Sequence, residues 1–587
     1  DFPSMTWDQG TLLAVLGATL GVFILDRWRF DVVAMASLMT CVLAGLIAPE
    51  DAFAGFSNPA VVTVAMVLVI TRTLGRTGVV DEAARRCTAL AGGPIGHVAA
   101  ICALGAGLSA FMNNVGALAL LMPIALSTAR RNGYPAGMLL MPLSFATLLG
   151  GMVTLIGTPP NLLISAFRAE ATGSRFLMFD FLPVGLALTV AGVAYLALAG
   201  WRLIPRDRGV ARDDIDRFRV SDYVTEALVR PGSPWSGRKV EQLEAERGAS
   251  VIGIIRDRRR VFARPGTVSF QSGDVVLLET DTATLRQLVE LEGFALVAQG
   301  GGGRQLVLTE AIVVPNALIQ GSSALSLDLR ERWGVNLVAV SRQGRRFEGR
   351  LRDANLSAGD ILLLDGDRDT VAEAMAELGC VPLADRKLEL EPRRTLLALP
   401  LFGAAVAVAA FDLASAAVAF TCAVILMLAA RIIRPMALYD SVDWPVIVLL
   451  GAMIPLGTAV QTTGLADRIG DAVIMLAPQA GAMGMLAVVL IATMAVTPVL
   501  NNTATVVIMA PVVISIARQL GVSPDAFLMA VAIGASCDFL TPFGHHNNSI
   551  VLGPGGYRFG DFWRVGLPLE LIVIALSLLV IPRVWPF

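Results

Sequence analysis

Two largely apolar stretches, "FMNNVGALALLMPIALSTARRNGYP" (111–135) and "VLNNTATVVIMAPVVISIARQLGVSP" (499–524), carry an Asn-Asn pair and lie 388 positions apart. Asn113, Asn114, Pro123, Ala129 and Arg130 recur as Asn501, Asn502, Pro511, Ala517 and Arg518. At a similar spacing "RTGVVD" (76–81) answers "TTGLAD" (462–467), and "DFLPVGLAL" (180–188) answers "DFWRVGLPL" (561–569). So many matches at a nearly constant offset indicate a duplication, which confines the chain to folds built from two related halves.

The halves are oily. Of the 587 residues 55% are hydrophobic and only 16% charged, with a mean hydropathy of +0.68, whereas a soluble domain carries about 25% charged residues. Uncharged runs long enough to cross hydrocarbon fill two blocks, 10–204 and 395–584, around a polar block at 205–394. The expectation is a polytopic α-helical membrane protein. The net charge of −2 averages two unlike regions and points to no nucleic-acid partner. The six cysteines (41, 87, 102, 380, 422, 537) lack the spacing of a disulfide framework or a zinc site. The residues "DFPS" before Met5 are set aside, and no signal peptide is read ahead of the first span.

The pattern predicts spans near 10–26, 32–48, 59–75 and 181–203, then near 395–411, 413–430, 444–462 and 565–584. Each Asn-Asn run is interrupted by Gly, Pro and Asn, and irregular backbone at membrane depth survives only beside protein or a wet cavity. Residues 97–129 and 483–517 therefore read as re-entrant hairpins, and the runs holding "IGTPPN" (156–161) and "TPFGHHNN" (541–548) as spans broken in the middle. That gives five crossings per repeat, an odd number, so the second copy is inverted. Arg27, Arg29, Arg72, Arg76, Arg85, Arg86, Arg130 and Arg131 share one side with Arg393, Arg394, Arg431, Arg434, Arg558 and Arg564. Positive-inside bias then places 205–392 in the cytoplasm and both termini outside, with Arg518 and the loop 168–175 as exceptions.

The polar block is itself duplicated. "GASVIGIIRDRRRVFARPGTVSFQSGDVVLLETD" (248–281) aligns with "GVNLVAVSRQGRRFEGRLRDANLSAGDILLLDGD" (334–367) at an offset of 86. Alternating β-branched residues, a Gly-Asp turn, a last apolar strand and helical patterns (282–292, 368–378) predict two small α+β modules, joined at "GGGG" (300–303). The domains are read as 7–204, 205–297, 304–392 and 393–587.

Repeats, hairpins and broken helices together are the pattern of a secondary transporter, in which half-helix N-termini hold anions and unwound carbonyls hold cations at the bilayer midplane. The hydrophobic blocks resemble the divalent anion:sodium symporter family, in which Ser-Asn-Thr hairpin tips precede a proline and a Thr-Pro-Pro-Asn break follows. Here the tips are Asn113-Asn114-Val115 before Pro123 and Asn501-Asn502-Thr503 before Pro511. The breaks are Gly157-Thr158-Pro159-Pro160-Asn161 and Gly544-His545-His546-Asn547-Asn548, and "GPGGYRFGDFWRVGLPL" (553–569) is similar to the family's last cytoplasmic turn. The polar insert is similar to two TrkA-C domains, carried by the branch of the family that includes sulfate carriers.

The resemblance implies Na⁺ sites at Asn114, Gly157, Thr158 and Asn161 and at Asn502, Gly544 and Asn548. It implies an anion pocket formed by Asn113, Asn114, Asn501, Asn502, Thr503, His545 and His546. Asn113 and Asn501 replace the tip serines and Val115 a tip threonine, which shifts the expected substrate from a dicarboxylate toward sulfate. His545 and His546 stand where the family has Thr and Pro; they either donate to the anion, titrate, or fill the gap and cap the broken helix. Asp538, an intramembrane carboxylate, reads as a cation ligand, a proton site or a polar partner, and His97 as interfacial.

The implied function is Na⁺-coupled symport of a small divalent anion by an elevator motion. The transporter is expected as a homodimer in the inner (plasma) membrane. Na⁺ is the coupling ion; no organic cofactor, transition metal or enzyme activity is expected. The TrkA-C-like modules would bind an unidentified small ligand. The alternatives are a TrkA-C-gated ion channel, although no TVGYG-type filter is present, and a proton-coupled organic anion (sulfonate) carrier.

Overall fold

The computed structural model describes the chain except residues 1–4, 26–27, 76–78, 206–207, 209–222, 248, 257–258, 261–267, 281–286, 289–292, 297–306, 314–316, 342–354, 358, 367, 383–396, 434, 477–480, 501 and 543. The expected glycine joint at 300–303 and the site residue Asn501 therefore lie outside the described residues.

The first hydrophobic block forms nine α-helices: α1 (Trp7–Leu25), α2 (Phe30–Leu43), α3 (Pro59–Gly75), α4 (Val79–Leu90), α5 (Gly93–Ser109), α6 (Asn114–Asn132), α7 (Gly137–Gly151), α8 (Pro159–Thr172) and α9 (Leu182–Leu198). Local chemistry sets their ends. Arg130 and Arg131 in the last turn of α6 complement its dipole, and Gly133 stops it in the left-handed region at φ 66°. The "TPPN" stretch starts α8 with prolines in its first turn, where a missing N–H costs nothing.

The polar block follows with β1 (Tyr223–Val229), α10 (Val240–Arg247), β2 (Ser250–Arg256), β3 (Arg259–Arg260), β4 (Val275–Thr280), β5 (Phe294–Leu296), β6 (Val307–Val313), α11 (Ala324–Leu327), α12 (Leu329–Trp333), β7 (Asn336–Ser341), β8 (Ile361–Gly366), α13 (Arg368–Leu378) and β9 (Cys380–Pro382). The strands make one antiparallel sheet in the order β3-β2-β4-β1-β7-β8-β6-β9, with β5 also on β1. Within it β2-β4-β1-β5 and β7-β8-β6-β9 run alike. Each carries a register shift at a matching place, between Val251 and Gly253 and between Leu337 and Ala339. Each has its own core, around Trp235, Phe270 and Phe294 and around Trp333, Leu356 and Met375. Ile312 of β6 is instead buried with the hydrophobic helices, and Ile361 and Val381 pack beside it.

The second hydrophobic block forms α14 (Ala398–Ala410), α15 (Ala416–Ala429), α16 (Pro435–Asp440), α17 (Trp444–Thr462), α18 (Leu465–Leu476), α19 (Ala482–Leu500), α20 (Asn502–Leu520), α21 (Asp525–Gly534), α22 (His546–Leu552) and α23 (Phe559–Val584). By length and composition α17, α20 and α23 are apolar enough to cross a membrane, and nine shorter apolar helices accompany them among the described residues. The last helix begins at Phe559, earlier than the expected 565, because Asp561 accepts the Arg558 backbone N–H at 2.7 Å and caps the extra turns. Besides short helices such as α10 and α16, two helices of twelve residues went unread: α4 and α18, whose Glu82, Arg85, Asp467 and Arg468 hide an amphipathic pattern from a search for uncharged runs.

All fifteen residues of α7 are buried, as are nine of the ten in α21. A helix apolar all round is stable only inside a bundle, and each of these two leads into a broken segment. Around α7 pack α5, α6 and α9; around α21 pack α19, α20 and α23. The approach is close: a Cβ at Gly150 would meet the Ala106 carbonyl at 2.1 Å. The halves interlock, with α8 against α20 and α21 and with α22 against α6 and α7. An Arg168–Asp525 ion pair, at 2.8 and 2.9 Å, ties the end of α8 to the start of α21 and neutralises one of the exceptional charges.

Candidate functional site

Between α7 and α8 the chain is non-helical from Met152 to Thr158. Asn161, in the first turn of α8, reaches back and donates from Nδ2 to the carbonyls of Gly151 at 3.1 Å and Thr154 at 2.8 Å. This side chain replaces the hydrogen bonds that the break removes. Gly157 then passes so close that a Cβ would lie 2.3 Å from the Gly151 carbonyl oxygen, which is why glycine stands there.

The first hairpin tip closes on this break. Asn114 is buried, its Oδ1 accepts from Ser109 Oγ at 2.7 Å, and a Cβ at Gly151 would lie 2.5 Å from the same oxygen. Asn113 caps α6 by accepting the Val115 N–H at 3.1 Å. Thr154 Oγ1 donates to the Ala110 carbonyl and joins tip to break. Two oxygens, Thr158 Oγ1 and Asn161 Oδ1, are buried with no hydrogen-bond partner from the protein. A small open recess borders Asn113 and Gly157 and is also lined by Val64, Val67 and Val446.

The second break repeats the frame. Asn548 Nδ2 donates to Asp538 O at 2.7 Å and Thr541 O at 3.1 Å, again 10 and 7 residues back. A Cβ at Gly544 would meet Asp538 Oδ1 at 2.7 Å. His545 caps α22: its Nδ1 accepts the Asn547 N–H at 3.1 Å, which leaves the proton on Nε2. The ring thus caps the broken helix through a backbone N–H, as one of the alternatives had it. His546 is exposed and its ring lies 6.3 Å from that of His545. Thr503 is buried in the first turn of α20 and Asn502 half-buried at its start. His97 is buried on α5, its Nδ1 on the Gly93 carbonyl at 2.7 Å and its ring edge-on to Tyr134.

Several residues of the site were not singled out from the sequence. From α7, Ser144 Oγ donates to Asn548 Oδ1 at 2.7 Å, and Thr147 Oγ1 accepts from Asn547 Nδ2 at 2.8 Å. No local pattern signals bonds that span 400 residues. Glu570, buried on α23, was legible as a carboxylate inside an apolar span.

Paired helix breaks clamped by amides and set in an apolar helical bundle define a multi-pass membrane transporter. The chain belongs to the citrate transporter family: the model of that family matches residues 20–497 and 479–587. It is 32% identical to the uncharacterized transporter YfbS of Escherichia coli over 98% of this chain and 99% of the relative. To the uncharacterized transporter sll0640 of Synechocystis it is 30% identical, over 97% and 96%. To sodium/sulfate cotransporter 1 of Chlamydomonas reinhardtii it is 30% identical, over 44% of this chain and 32% of the relative. The protein is a transporter, not an enzyme.

Proposed function

We propose that the protein imports a small divalent oxyanion, sulfate ahead of dicarboxylates, in symport with Na⁺. The observation that carries the reading is the clamp of Asn161, whose Nδ2 is spent on two carbonyls while its Oδ1 and the Thr158 hydroxyl stay buried without a partner. A buried oxygen without a partner costs about 1–3 kcal/mol. Hard oxygen ligands of this kind suit an alkali cation, and Na⁺ between them would relieve that cost. Asn114 and Gly157 border the same place; Asn502, Gly544 and Asn548 form the related one.

The starts of α6, α8 and α20 carry partial positive charge and unpaired N–H groups, the means by which broken helices hold an anion. Asn113, Asn114, Asn502 and Thr503 line the pocket in this reading, with Asn501 assigned to it from the repeat alone and His545 donating from Nε2. His546 stands at its rim. Short amide and imidazole donors suit a compact tetrahedral anion, and a sodium/sulfate cotransporter among the relatives agrees.

Coupling follows because Na⁺ offsets the anion's charge. The two halves are inverted five-span repeats. In an elevator motion the hairpins and broken spans travel together against a dimeric scaffold of the remaining helices. The β-rich block is a pair of TrkA-C-type modules (205–297 and 304–392) on the cytoplasmic side of the inner membrane. Both termini are outside, and the modules bind a small regulatory ligand.

The test is uptake of labelled sulfate by the purified protein in liposomes, with Na⁺ or choline outside and with succinate, citrate and taurine as competitors. Wild-type uptake should require Na⁺ and Asn161→Ala should abolish it. Sulfate uptake indifferent to Na⁺, or untouched by that substitution, would overturn the assignment.

A further inference from the structure

The frame shared by the two breaks puts Asp538 where the first half has Gly151. Asn161 donates to the Gly151 carbonyl and Asn548 to the Asp538 carbonyl, each from ten residues further on. A side chain leaving Gly151 would run into the first hairpin tip. Its Cβ would lie 2.5 Å from Asn114 Oδ1 and 2.6 Å from Cγ2 of Thr158, two residues of the place read above as a Na⁺ site. The second half sends a carboxylate out from the matching position. There a Cβ at Gly544, the counterpart of Gly157, would lie 2.7 Å from Asp538 Oδ1.

That carboxylate has no partner in the protein. Asp538 is 1% exposed, and both of its side-chain oxygens are buried without a hydrogen bond. No ion pair among the described residues involves it. The polar groups beside it are spent elsewhere. Asn548 Nδ2 serves the carbonyls of Asp538 and Thr541, Thr541 Oγ1 accepts the Gly544 N–H at 3.1 Å, and Ser536 Oγ donates to the Ala532 carbonyl at 2.9 Å. Glu570 accepts the backbone N–H of Phe539, the residue after Asp538, so α23 brings a second acid here and not a base. A buried carboxylate is retained when it is paired or when it coordinates a metal ion.

The amide oxygens complete the argument. At the first break Asn161 Oδ1 is buried without a partner and free to hold an ion. At the second Asn548 Oδ1 is taken by Ser144 Oγ at 2.7 Å, so it has less to offer a cation. The second break has lost an amide oxygen and gained a carboxylate in the same frame. Both are hard oxygen ligands, but only the second carries charge.

We propose that the Asp538 carboxylate is a direct Na⁺ ligand at the second break, supplying what Asn161 Oδ1 supplies at the first, so that one Na⁺ site is anionic and the other neutral. The anionic site offsets the charge of its ion without help from the substrate and fills before sulfate arrives. The neutral site fills with sulfate, whose charge stabilises the ion there. The proposal rests on the Na⁺-coupled carrier reading above.

The experiment measures equilibrium binding of radioactive Na⁺ to the full chain purified in detergent, with and without sulfate, choline replacing Na⁺ in the controls. Without sulfate the wild type and Asn161→Ala should both bind a single Na⁺, and Asp538→Asn should bind it at least about tenfold more weakly. Even a partner that only orients a ligand is worth about 10–100-fold in metal affinity. Sulfate should add a second Na⁺ to the wild type and none to Asn161→Ala. Melting curves in Na⁺-free buffer report the fold of each variant, and the smaller Asp538→Ser tests the same loss of charge if Asp538→Asn does not fold.

A further readout uses the wild type alone. Exchange of K⁺ for Na⁺ without sulfate should perturb a carboxylate stretching band in the infrared difference spectrum. A wild type that binds no Na⁺ in the absence of sulfate, sulfate-independent binding that survives loss of the carboxylate, or a spectrum without that band would each overturn the assignment of Asp538. None of these outcomes touches the carrier reading. That reading falls instead if sulfate uptake into liposomes is indifferent to Na⁺, whatever the binding measurement gives.

Discussion

At the first break Asn161 holds the carbonyls of Gly151 and Thr154, and a backbone oxygen fills the space beside Gly157. At the second Asn548 holds Asp538 and Thr541, and a carboxylate fills the space beside Gly544. A third contact separates them further. Ser144 donates to Asn548 Oδ1, whereas the position in α21 that matches Ser144 is Val531, which has no hydroxyl, and Asn161 Oδ1 is left without a donor. The duplicated backbone fixes where oxygens can gather, and a few non-matching side chains decide which of those oxygens already has a donor.

The sharpest way to break this comparison is to remove the two clamps. Asn161→Ala and Asn548→Ala each strip the amide from two carbonyls, at about 1–3 kcal/mol for every buried group left unpaired. Asn548→Ala should lower the melting temperature of the detergent-purified protein further, since it also deprives Ser144 of its acceptor. Asn161→Ala should do more harm to Na⁺ affinity. If the two variants melted alike and responded alike to Na⁺, the two sites would be equivalent and the contrast wrong.

The glycines give the next largest effect. At Gly157 an added methyl meets a backbone carbonyl at 2.3 Å, which cannot step aside; at Gly544 it meets the end of the Asp538 side chain at 2.7 Å, which can. Overpacking costs about 1–3 kcal/mol, so Gly157→Ala should sit at the upper end and Gly544→Ala at the lower. Adding Asp538→Gly should restore the melting temperature of Gly544→Ala. Failure of that rescue would mean the carboxylate is not what Gly544 accommodates.

A subtler exchange would make the sites alike. Val531→Ser should offer Asn161 Oδ1 the donor that Ser144 gives Asn548, a gain of about 1 kcal/mol. It should weaken Na⁺ dependence at the same time, because an oxygen already bonded is a poorer ligand. Greater thermal stability with unchanged Na⁺ titration of sulfate uptake would show that Asn161 Oδ1 plays no part in holding the ion.

Much of this was legible before any coordinates. The run 59–75 is α3 to the residue, the breaks fall where Gly, Pro and Asn interrupt apolar sequence, and Asn161 and Asn548 stand at them as the repeat requires. Apolar runs and helix breakers act locally, so sequence reports them. The amphipathic α4 and α18 escaped because they carry charge on one face and so contain no uncharged run. That the clamping amides serve their own backbone was also hidden, as were the bonds of Ser144 and Thr147 to residues some 400 positions away. Those depend on how α7 and the second break meet, which only packing decides.

The polar modules allow the comparison to be repeated in miniature, with the smallest expected effect. The strand orders β2-β4-β1-β5 and β7-β8-β6-β9 match, bulge for bulge, and the second copy buries Asp365 on β8 with Asn336 of β7 as its hydrogen-bonding neighbour. Burial raises the Asp365 carboxyl above its ordinary value, and Asn336 opposite it on β7 offsets part of the shift. For an acid raised in the folded state, the stabilising contribution is complete below the unfolded value near 3.8 and is lost as pH climbs through the folded one. Hydrogen exchange in β7 and β8 should therefore be faster at pH 8 than protection at pH 5 predicts after correction for intrinsic rates. Asp365→Asn should remove that extra opening, which corresponds to about 2–4 °C of melting temperature for the paired modules if the difference is near 1 kcal/mol. The matching strands β2 and β4 serve as the internal control, and an equal pH response in both pairs would place the effect outside Asp365.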